Sequence, residues 1–256
     1  MSAEAIIKRQ ARDTLRNNYP KALTALIIVL IPYYIIDGGT TILSCVFSYL
    51  IKDEAVRGVL IYSVGYTLEV LALFFFSPVI NGYIRAHYNA AYTGEIDLAD
   101  VYYYFSGGRY KKALALNIRY ILRLLLPAAL FYLPVIALAI IAPQVGGGFS
   151  DSLLYNDLFF LLNVISTTCL LLYSLRYFIV FTIQADIENL TPGKSFEYSR
   201  YVMKNRVGSA AKLALSFIPW FLLCLLVLPT LYVIPYFTQS LCISAKWMTK
   251  ATFEVK

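Results

Sequence analysis

The feature that most constrains this chain is a set of long segments without a charged residue. Residues 213–245, 124–150 and 158–175 contain no Asp, Glu, Lys or Arg. A helix needs about 20 mostly apolar residues to cross the hydrocarbon core of a bilayer. A soluble chain of 256 residues cannot bury several such segments in one core, so we expect an integral membrane protein.

Composition agrees with this expectation, because only 14% of the residues are charged, against about 25% in an ordinary soluble domain. The predicted fold is all-α, a polytopic transmembrane helical bundle that forms one integral membrane domain over residues 1–256. Residues 1–20 form an amphipathic cytoplasmic helix in this interpretation, and about six spans follow. These spans lie near residues 22–50, 58–84, 117–141, 158–182, 212–229 and 231–248.

Two of these spans have an alternative interpretation. Asp37, Gly38 and Gly39 interrupt the first, so that residues 37–51 either continue one long tilted helix or form a re-entrant piece. The uncharged run 213–245 is about 50 Å long at 1.5 Å per residue, too long for one upright span. Pro229 and Pro235 offer places to turn back, and residues 230–248 then either span fully or re-enter.

The cations alternate between the connections. Basic residues precede the first span, separate the second from the third and the fourth from the fifth, and follow the sixth. The opposite connections carry only Lys52 and Arg57. The positive-inside rule then predicts that both termini lie in the cytoplasm. Attraction to anionic lipid at the cytoplasmic face explains the net charge of +7 without nucleic acid as a partner.

A similar segment precedes each span that leaves the cytoplasm. These segments run from residue 6 to a polar turn at 17–20, from the N-cap Asp97 to Gly107 and Gly108, and from Thr191 and Pro192 to Asn205. Each combines apolar and polar residues and ends shortly before a lysine that opens the span. We therefore predict three related helical hairpins, each with an amphipathic interfacial helix at its entrance.

The second half of the chain carries an arrangement that resembles a known family. It consists of Arg176-Tyr177-Phe178, Ala185-Asp186, Ser195, Ser199, Met203-Lys204-Asn205, Ser216-Phe217, Trp220 and Pro235-Tyr236. Together with the basic N-terminal helix and residues 105–109, it resembles an uncharacterised bacterial family of multi-pass membrane proteins, domain of unknown function 975. The resemblance implies a helical fold in a bacterial plasma membrane and supplies no activity.

Five polar residues are candidates for an intramembrane site. Glu69 lies near the middle of the second predicted span, where a charge costs about 2.5 to 3.5 kcal/mol, so it must be neutral, paired or hydrated. Arg119, Arg123 and Arg176 could pair with Glu69 or extend to the cytoplasmic interface. Asp37 marks either a helix break that lines a cavity or the outer end of the first span.

No recognisable motif for catalysis, cofactor binding or metal binding is present in the sequence. His87 is the only histidine, which excludes a site with two histidine ligands, and we expect it at the membrane interface. The four cysteines are far apart and are expected to pack as small apolar residues. We predict a protein that is not an enzyme.

Two functions fit these observations. The leading interpretation is a noncatalytic membrane module that interacts with lipid or with a partner protein, which includes a second copy of the chain. The alternative is a small-molecule or lipid transporter, or a permease subunit, that uses Glu69. A polar cavity around Glu69 favours transport, whereas a dry bundle in which an arginine pairs with this acid favours the module.

Overall fold

The computed structural model describes residues 2–144, 152–187 and 190–253, and all regular structure in these ranges is helical. The α-helices are α1 (Ala3–Leu50), α2 (Glu54–Thr93), α3 (Arg109–Ile141), α4 (Leu153–Ser174), α5 (Val180–Asp186), α6 (Pro192–Met203), α7 (Val207–Leu215), α8 (Ile218–Leu223) and α9 (Thr230–Phe253). Shorter 3-10 helices occupy Leu98–Phe105, Ala142–Gln144, Leu175–Tyr177 and Cys224–Leu226. The predicted all-α fold is confirmed for these residues.

Four helical segments are long and apolar enough to cross a bilayer, judged by length and composition. They are Ala3–Leu50, Arg109–Ile141, Leu153–Asp186 and Val207–Leu226. Val56–Ala72 and Phe76–Thr93 meet at a bend of 41° and together form a fifth candidate. The helices therefore support membrane insertion, and the six crossings stay a prediction.

α1 continues through the polar turn predicted at residues 17–20, so that prediction is wrong. Pro20 lies inside the helix, and Asn18 makes tertiary contacts instead of ending it. The Asn18 side-chain amide donates to the carbonyl of Gly94 at 2.7 Å, and its oxygen accepts from the amide of Ile96 at 3.3 Å. Asn18 thus fixes the end of α2, because these three groups satisfy each other's hydrogen bonds.

The second predicted break also lies within α1. Residues 37–51 continue the helix, which ends at Leu50. Of the two interpretations given above, one long helix is therefore the observed one. The chain then turns back at Ile51 to Asp53, and the Asp53 carboxylate accepts from the amide of Val56 at 3.1 Å at the start of α2.

The first 20 residues are amphipathic, as predicted, but their apolar face is covered by protein and not by lipid. Ile7, Ala11 and Leu15 are buried in one cluster with Phe217 of the α7–α8 junction and Ile243 of α9. Arginines on the opposite face remain exposed. The N-terminal helix is therefore part of the core.

The core surrounds the second half of α2. Residues 77–91 are mostly buried there, in contact with α1, α3, α5, α9 and the 3-10 helix Leu98–Phe105. Gly82 permits the closest of these approaches, because a Cβ added to it would lie 2.0 Å from the carbonyl oxygen of Val101. We call the assembly of residues 3–26, 77–119, 177–187, 190–217 and 230–250 the packed end.

α9 belongs to this packed end. It begins after a turn in which Val227 has a φ of 62°, and it continues through Pro235. The chain therefore turns back next to Pro229 and not at Pro235. Gln239, Ser240 and Ser244 are buried, so α9 combines polar and apolar core residues and does not have the uniform apolar surface of a lipid-facing span.

Helices outside the packed end have the opposite surface. Their large apolar side chains are exposed, for example Tyr34 of α1 at 64%, Leu126 of α3 at 77% and Leu154 of α4 at 68%. α1 pairs with α2 and α3 pairs with α4 in this region. We call the segments 27–76, 120–174 and 218–229, without the part of the loop that lies outside the described residues, the apolar hairpins.

The three hairpin entrances have a common pattern. The lysine that opens each hairpin is followed by a fully or almost fully buried residue, Ala22, Ala113 or Leu213. Asp97 is the N-cap of the second entrance segment and accepts from the amide of Ala99 at 2.9 Å. α6 begins directly after Thr191, as predicted. Superposition of the three hairpins stays a prediction.

Candidate functional site

The five polar residues singled out in the sequence fall into two separate groups. Asp37 and Glu69 both line a groove of about 270 Å³ between α1 and α2. Apolar and aromatic side chains, among them Val29, Tyr33 and Phe76, line the rest of this groove. Both acids are exposed. Neither has a salt bridge to another described residue, so the arginine pairing considered for Glu69 is not observed.

The arginines of α3 lie instead against α6. The Arg123 guanidinium stacks over the Phe196 ring at 4.1 Å, and a Cβ added to Gly193 would lie 3.1 Å from a nitrogen of Arg119. Phe196 is fully buried. Such a cation–π contact combines ring packing with retained charge. Arg119 and Arg123 thus hold the amphipathic helix α6 at the edge of the core.

Arg176 lines a different and larger pocket. This pocket has a volume of about 530 Å³ and lies between the 3-10 helix Leu175–Tyr177, α6 and the start of α7. Arg200 and Lys204 also line it, together with one carboxylate, that of Glu197. The four side chains sum to a formal charge of +2 at neutral pH, so the pocket is suited to an anion. We call it the basic pocket.

Local structure holds the basic residues at the rim of the core. Ser199 of α6 is fully buried and donates to the carbonyl oxygen of Arg176 at 3.0 Å, which ties α6 to the end of the α4 segment. Met203 is buried at the end of α6, and Asn205 then adopts a φ of 68° that ends the helix. Arg200 and Lys204 are exposed on the other side. The backbone that carries Arg200 and Lys204 is therefore fixed by buried contacts, while their side chains are exposed.

Two other cations are structural. Arg85 donates to the Asp100 carboxylate at 3.1 Å and to the carbonyl of Ala185 at 2.9 Å, and it stacks over the Tyr103 ring at 3.6 Å. It thereby joins α2, the 3-10 helix Leu98–Phe105 and α5.

In the same 3-10 helix, burial raises the pKa of Tyr104 to about 12, although the nearby Arg85 guanidinium lowers it.

Arg206 acts in the same way at the end of α9. Its guanidinium donates to the carbonyl of Met248 and to the hydroxyl of Thr252, the latter at 2.6 Å. Cations near a helix C-terminus are stabilised by the unpaired carbonyls there. Arg206 therefore fastens the last turns of α9 to the start of α7.

His87 is fully buried between α2 and α9, so its predicted position at the interface is wrong. Its Nδ1 lies 2.7 Å from Oε1 of Gln239, which is also fully buried. With the Gln239 amide in this orientation, its oxygen accepts from Nδ1 of the neutral tautomer that carries its proton there. Nε2 of His87 and Nε2 of Gln239 have no hydrogen-bond partner among the described residues. The local sequence gave no signal for this contact, since the two residues are 152 positions apart.

The basic pocket was only partly visible in the sequence. Arg176 was a candidate because it lies at the end of a long apolar segment. Arg200 and Lys204 were recognised as cytoplasmic cations and not as site residues, although their spacing of four places them on one side of a helix. Their approach to Arg176 depends on how α6 folds back, which no local pattern encodes.

Comparison with known proteins identifies a family and no activity. A family model described as "Protein of unknown function (DUF975)" matches residues 1–249. No curated protein matches the chain. No solved structure matches it either.

Proposed function

The chain belongs to the DUF975 family of proteins of unknown function, and from its own geometry we propose that it is a noncatalytic membrane module that binds lipid at its basic end. The observation that carries this proposal is the division of the molecule into two surfaces. The hairpins expose apolar side chains, and the packed end displays the cations of several segments that are distant in sequence.

The distribution of exposed cations supports this proposal. Basic residues are exposed on the first and third entrance segments, at the starts of the hairpins and on the α6–α7 connection, namely Arg9, Arg12, Arg16, Lys21, Lys111, Lys194, Arg200, Lys204 and Lys212. A cytoplasmic leaflet rich in anionic lipid attracts such residues by about 1 kcal/mol each near the surface. We therefore place the packed end at the cytoplasmic face of a bacterial plasma membrane, with both termini inside.

The first experiment tests the orientation. Single cysteines in place of Lys52 and of Lys111 report on the two sides, in a background in which the native cysteines are replaced by alanine. We expect a membrane-impermeant maleimide to label the first variant in intact cells, and the second only after permeabilisation. Labelling of both in intact cells would contradict the proposal.

The second experiment tests the lipid dependence. In nanodiscs of phosphatidylcholine, replacement of about a third of the lipid by phosphatidylglycerol should raise the midpoint of thermal unfolding, because the basic end gains counter-charges. High salt should remove most of this increase. An unchanged midpoint would argue against anionic lipid as the partner and favour a protein partner or a second copy of the chain.

The groove that contains Asp37 and Glu69 favours a second candidate function, transport. Two carboxylates within about 270 Å³ on the apolar hairpins are expensive in hydrocarbon unless they bind a proton or a cation. Proteoliposomes that contain a pH-sensitive dye test this candidate under a potassium diffusion potential. The module predicts no proton flux above that of protein-free liposomes, whereas a transporter predicts a flux that Glu69→Gln abolishes.

A further inference from the structure

We propose that the basic pocket binds the phosphate group of an anionic phospholipid, with the acyl chains along the neighbouring apolar surfaces of α4 and α7. This inference rests on the membrane module proposed above and names one lipid-binding site within it. The positions of three cations, of one carboxylate, of the end of α4 and of the start of one candidate span carry the argument.

The first step concerns charge. Arg176, Arg200 and Lys204 come from two structural elements and the residue after α6, and they line one pocket of about 530 Å³. In the part of the chain that the structure describes, no carboxylate forms a salt bridge with any of the three. Arginine and lysine are the usual donors to phosphate oxygens, and two guanidinium groups permit bidentate contacts.

The second step concerns fixed geometry. Ser199 joins α6 to the backbone of Arg176, and Met203 anchors the last turn of α6 in the core. The distance between the two sides of the pocket is therefore set by buried contacts and not by the exposed side chains themselves. A site of this kind loses less conformational freedom on binding than three independent surface cations would.

The third step distinguishes a lipid from a soluble phosphate. Leu171 and Leu172, which come one turn before Arg176, are 61% and 46% exposed. Leu215, at the end of the α7 that opens beside the pocket, is 59% exposed. The candidate span Val207–Leu226 begins at this pocket, and α4 ends at Ser174, two residues before Arg176. A phosphate in the pocket thus lies where exposed apolar surface meets basic surface, as a phospholipid requires.

The side chains at the rim of the basic pocket also fit a position at the boundary between apolar and basic surface. Tyr201 lines the pocket and is 55% exposed, and tyrosine is enriched at membrane–water interfaces because its ring is apolar and its hydroxyl is polar. Glu197 reduces the positive charge of the pocket and repels a second anion. The pocket is therefore matched to a headgroup of low negative charge, such as that of phosphatidylglycerol.

The experiment is a titration of the full-length protein in an uncharged maltoside detergent, with native mass spectrometry as the readout. The double variant Arg200→Gln with Lys204→Gln should bind phosphatidylglycerol at least tenfold more weakly than the wild-type protein. The matched control is Lys52→Gln with Arg57→Gln, which removes the same two charges from the connection between α1 and α2 and the start of α2, outside the packed end. It should change the affinity less than twofold.

A third variant should change the affinity for phosphatidylglycerol in the opposite direction. Glu197→Gln removes the one carboxylate of the pocket and should raise the affinity for phosphatidylglycerol about threefold. A nonspecific effect of net charge would make the control double variant as damaging as the pocket double variant, and that result would overturn the proposal. Equal thermal unfolding midpoints of all variants in lipid-free detergent establish that the fold is unchanged.

The ligand class is tested in parallel. Phosphatidylcholine should bind at least fivefold more weakly than phosphatidylglycerol, and millimolar inorganic phosphate should not displace the lipid. Displacement by inorganic phosphate would overturn the assignment to a lipid. Suppose that nanodisc stability still depends on phosphatidylglycerol while the pocket double variant binds this lipid with wild-type affinity. The basic pocket is then not the lipid-binding site, and the proposed membrane module stands. If no variant or lipid has an effect, the module itself is wrong.

Discussion

Polar side chains make different kinds of hydrogen bond in the packed end and in the apolar hairpins. In the packed end, polar groups such as Asn18 and Arg85 are satisfied by partners that are far away in sequence. In the hairpins, exposed hydroxyls such as those of Thr41, Thr67 and Thr168 donate to carbonyls of their own helix. The difference shows that hydrogen bonds between distant segments hold the packed end together, whereas the exposed hydroxyls of the hairpins are satisfied within one helix.

Replacement of a glycine by alanine should give the largest difference in the free energy of unfolding between the packed end and the apolar hairpins. Gly82→Ala places a methyl group against the carbonyl of Val101, with an unrelaxed separation of 2.0 Å, so the 3-10 helix Leu98–Phe105 must move away from α2. We expect a loss of at least about 3 kcal/mol in the free energy of unfolding. Sodium dodecyl sulfate titration in mixed micelles measures it.

The matched control is Gly65→Ala in the first half of α2, where nothing lies within 4 Å of the added methyl group. The better helix propensity of alanine should leave stability unchanged or raise it by up to about 1 kcal/mol. Similar losses for both variants would show that the two regions are equally packed and would remove the distinction.

Leucine truncation gives the next largest contrast, and both sites lie on α3. Leu116 is fully buried, whereas Leu126 is 77% exposed. Leu116→Ala should cost about 3 kcal/mol because it leaves a cavity. Leu126→Ala should cost less than about 1 kcal/mol in the same micelle titration, since it leaves none. A larger loss for Leu126→Ala would indicate that this surface is covered by another molecule, such as a second copy of the chain.

Loss of an ion pair should give the smallest difference in the free energy of unfolding between the two regions. Arg85 and Asp100 have side chains that are 13% and 16% exposed, whereas Arg57 and Glu54 in the first hairpin are 30% and 88% exposed. Arg85→Gln should lower the free energy of unfolding by about 2 kcal/mol, because it leaves the Asp100 charge with only the Asn89 amide. Arg57→Gln should cost less than about 0.5 kcal/mol. Equal effects would contradict the structural role given to Arg85.

Much of the secondary structure was predictable because its signals are local. Asp97 and Thr191 mark helix starts by the capping preference of their side chains, and both starts are observed. Asn18 shows the limit of this approach. Its neighbourhood, with a proline two residues later, is typical of a turn, and only the presence of Gly94 and Ile96 beside it explains why the helix continues.

The candidate sites were less predictable than the helices. From the sequence, Arg119, Arg123 and Arg176 could pair with Glu69 or extend to the cytoplasmic interface. In the structure Asp37 and Glu69 line one groove, and the arginines of α3 lie against α6. Which charged residues meet depends on the rotation and position of whole helices, and a hydropathy pattern does not contain that information.

Long apolar helices that can span a membrane, and amphipathic segments before the hairpins, are predictable from the sequence alone. These properties follow from hydrophobicity and helical periodicity over neighbouring residues. The positions of α9 in the core, of His87 beside Gln239 and of Arg176 in one pocket with Arg200 and Lys204 are known from the packed structure alone. Each of these outcomes depends on contacts between distant segments, whose energies are settled only when the helices pack together.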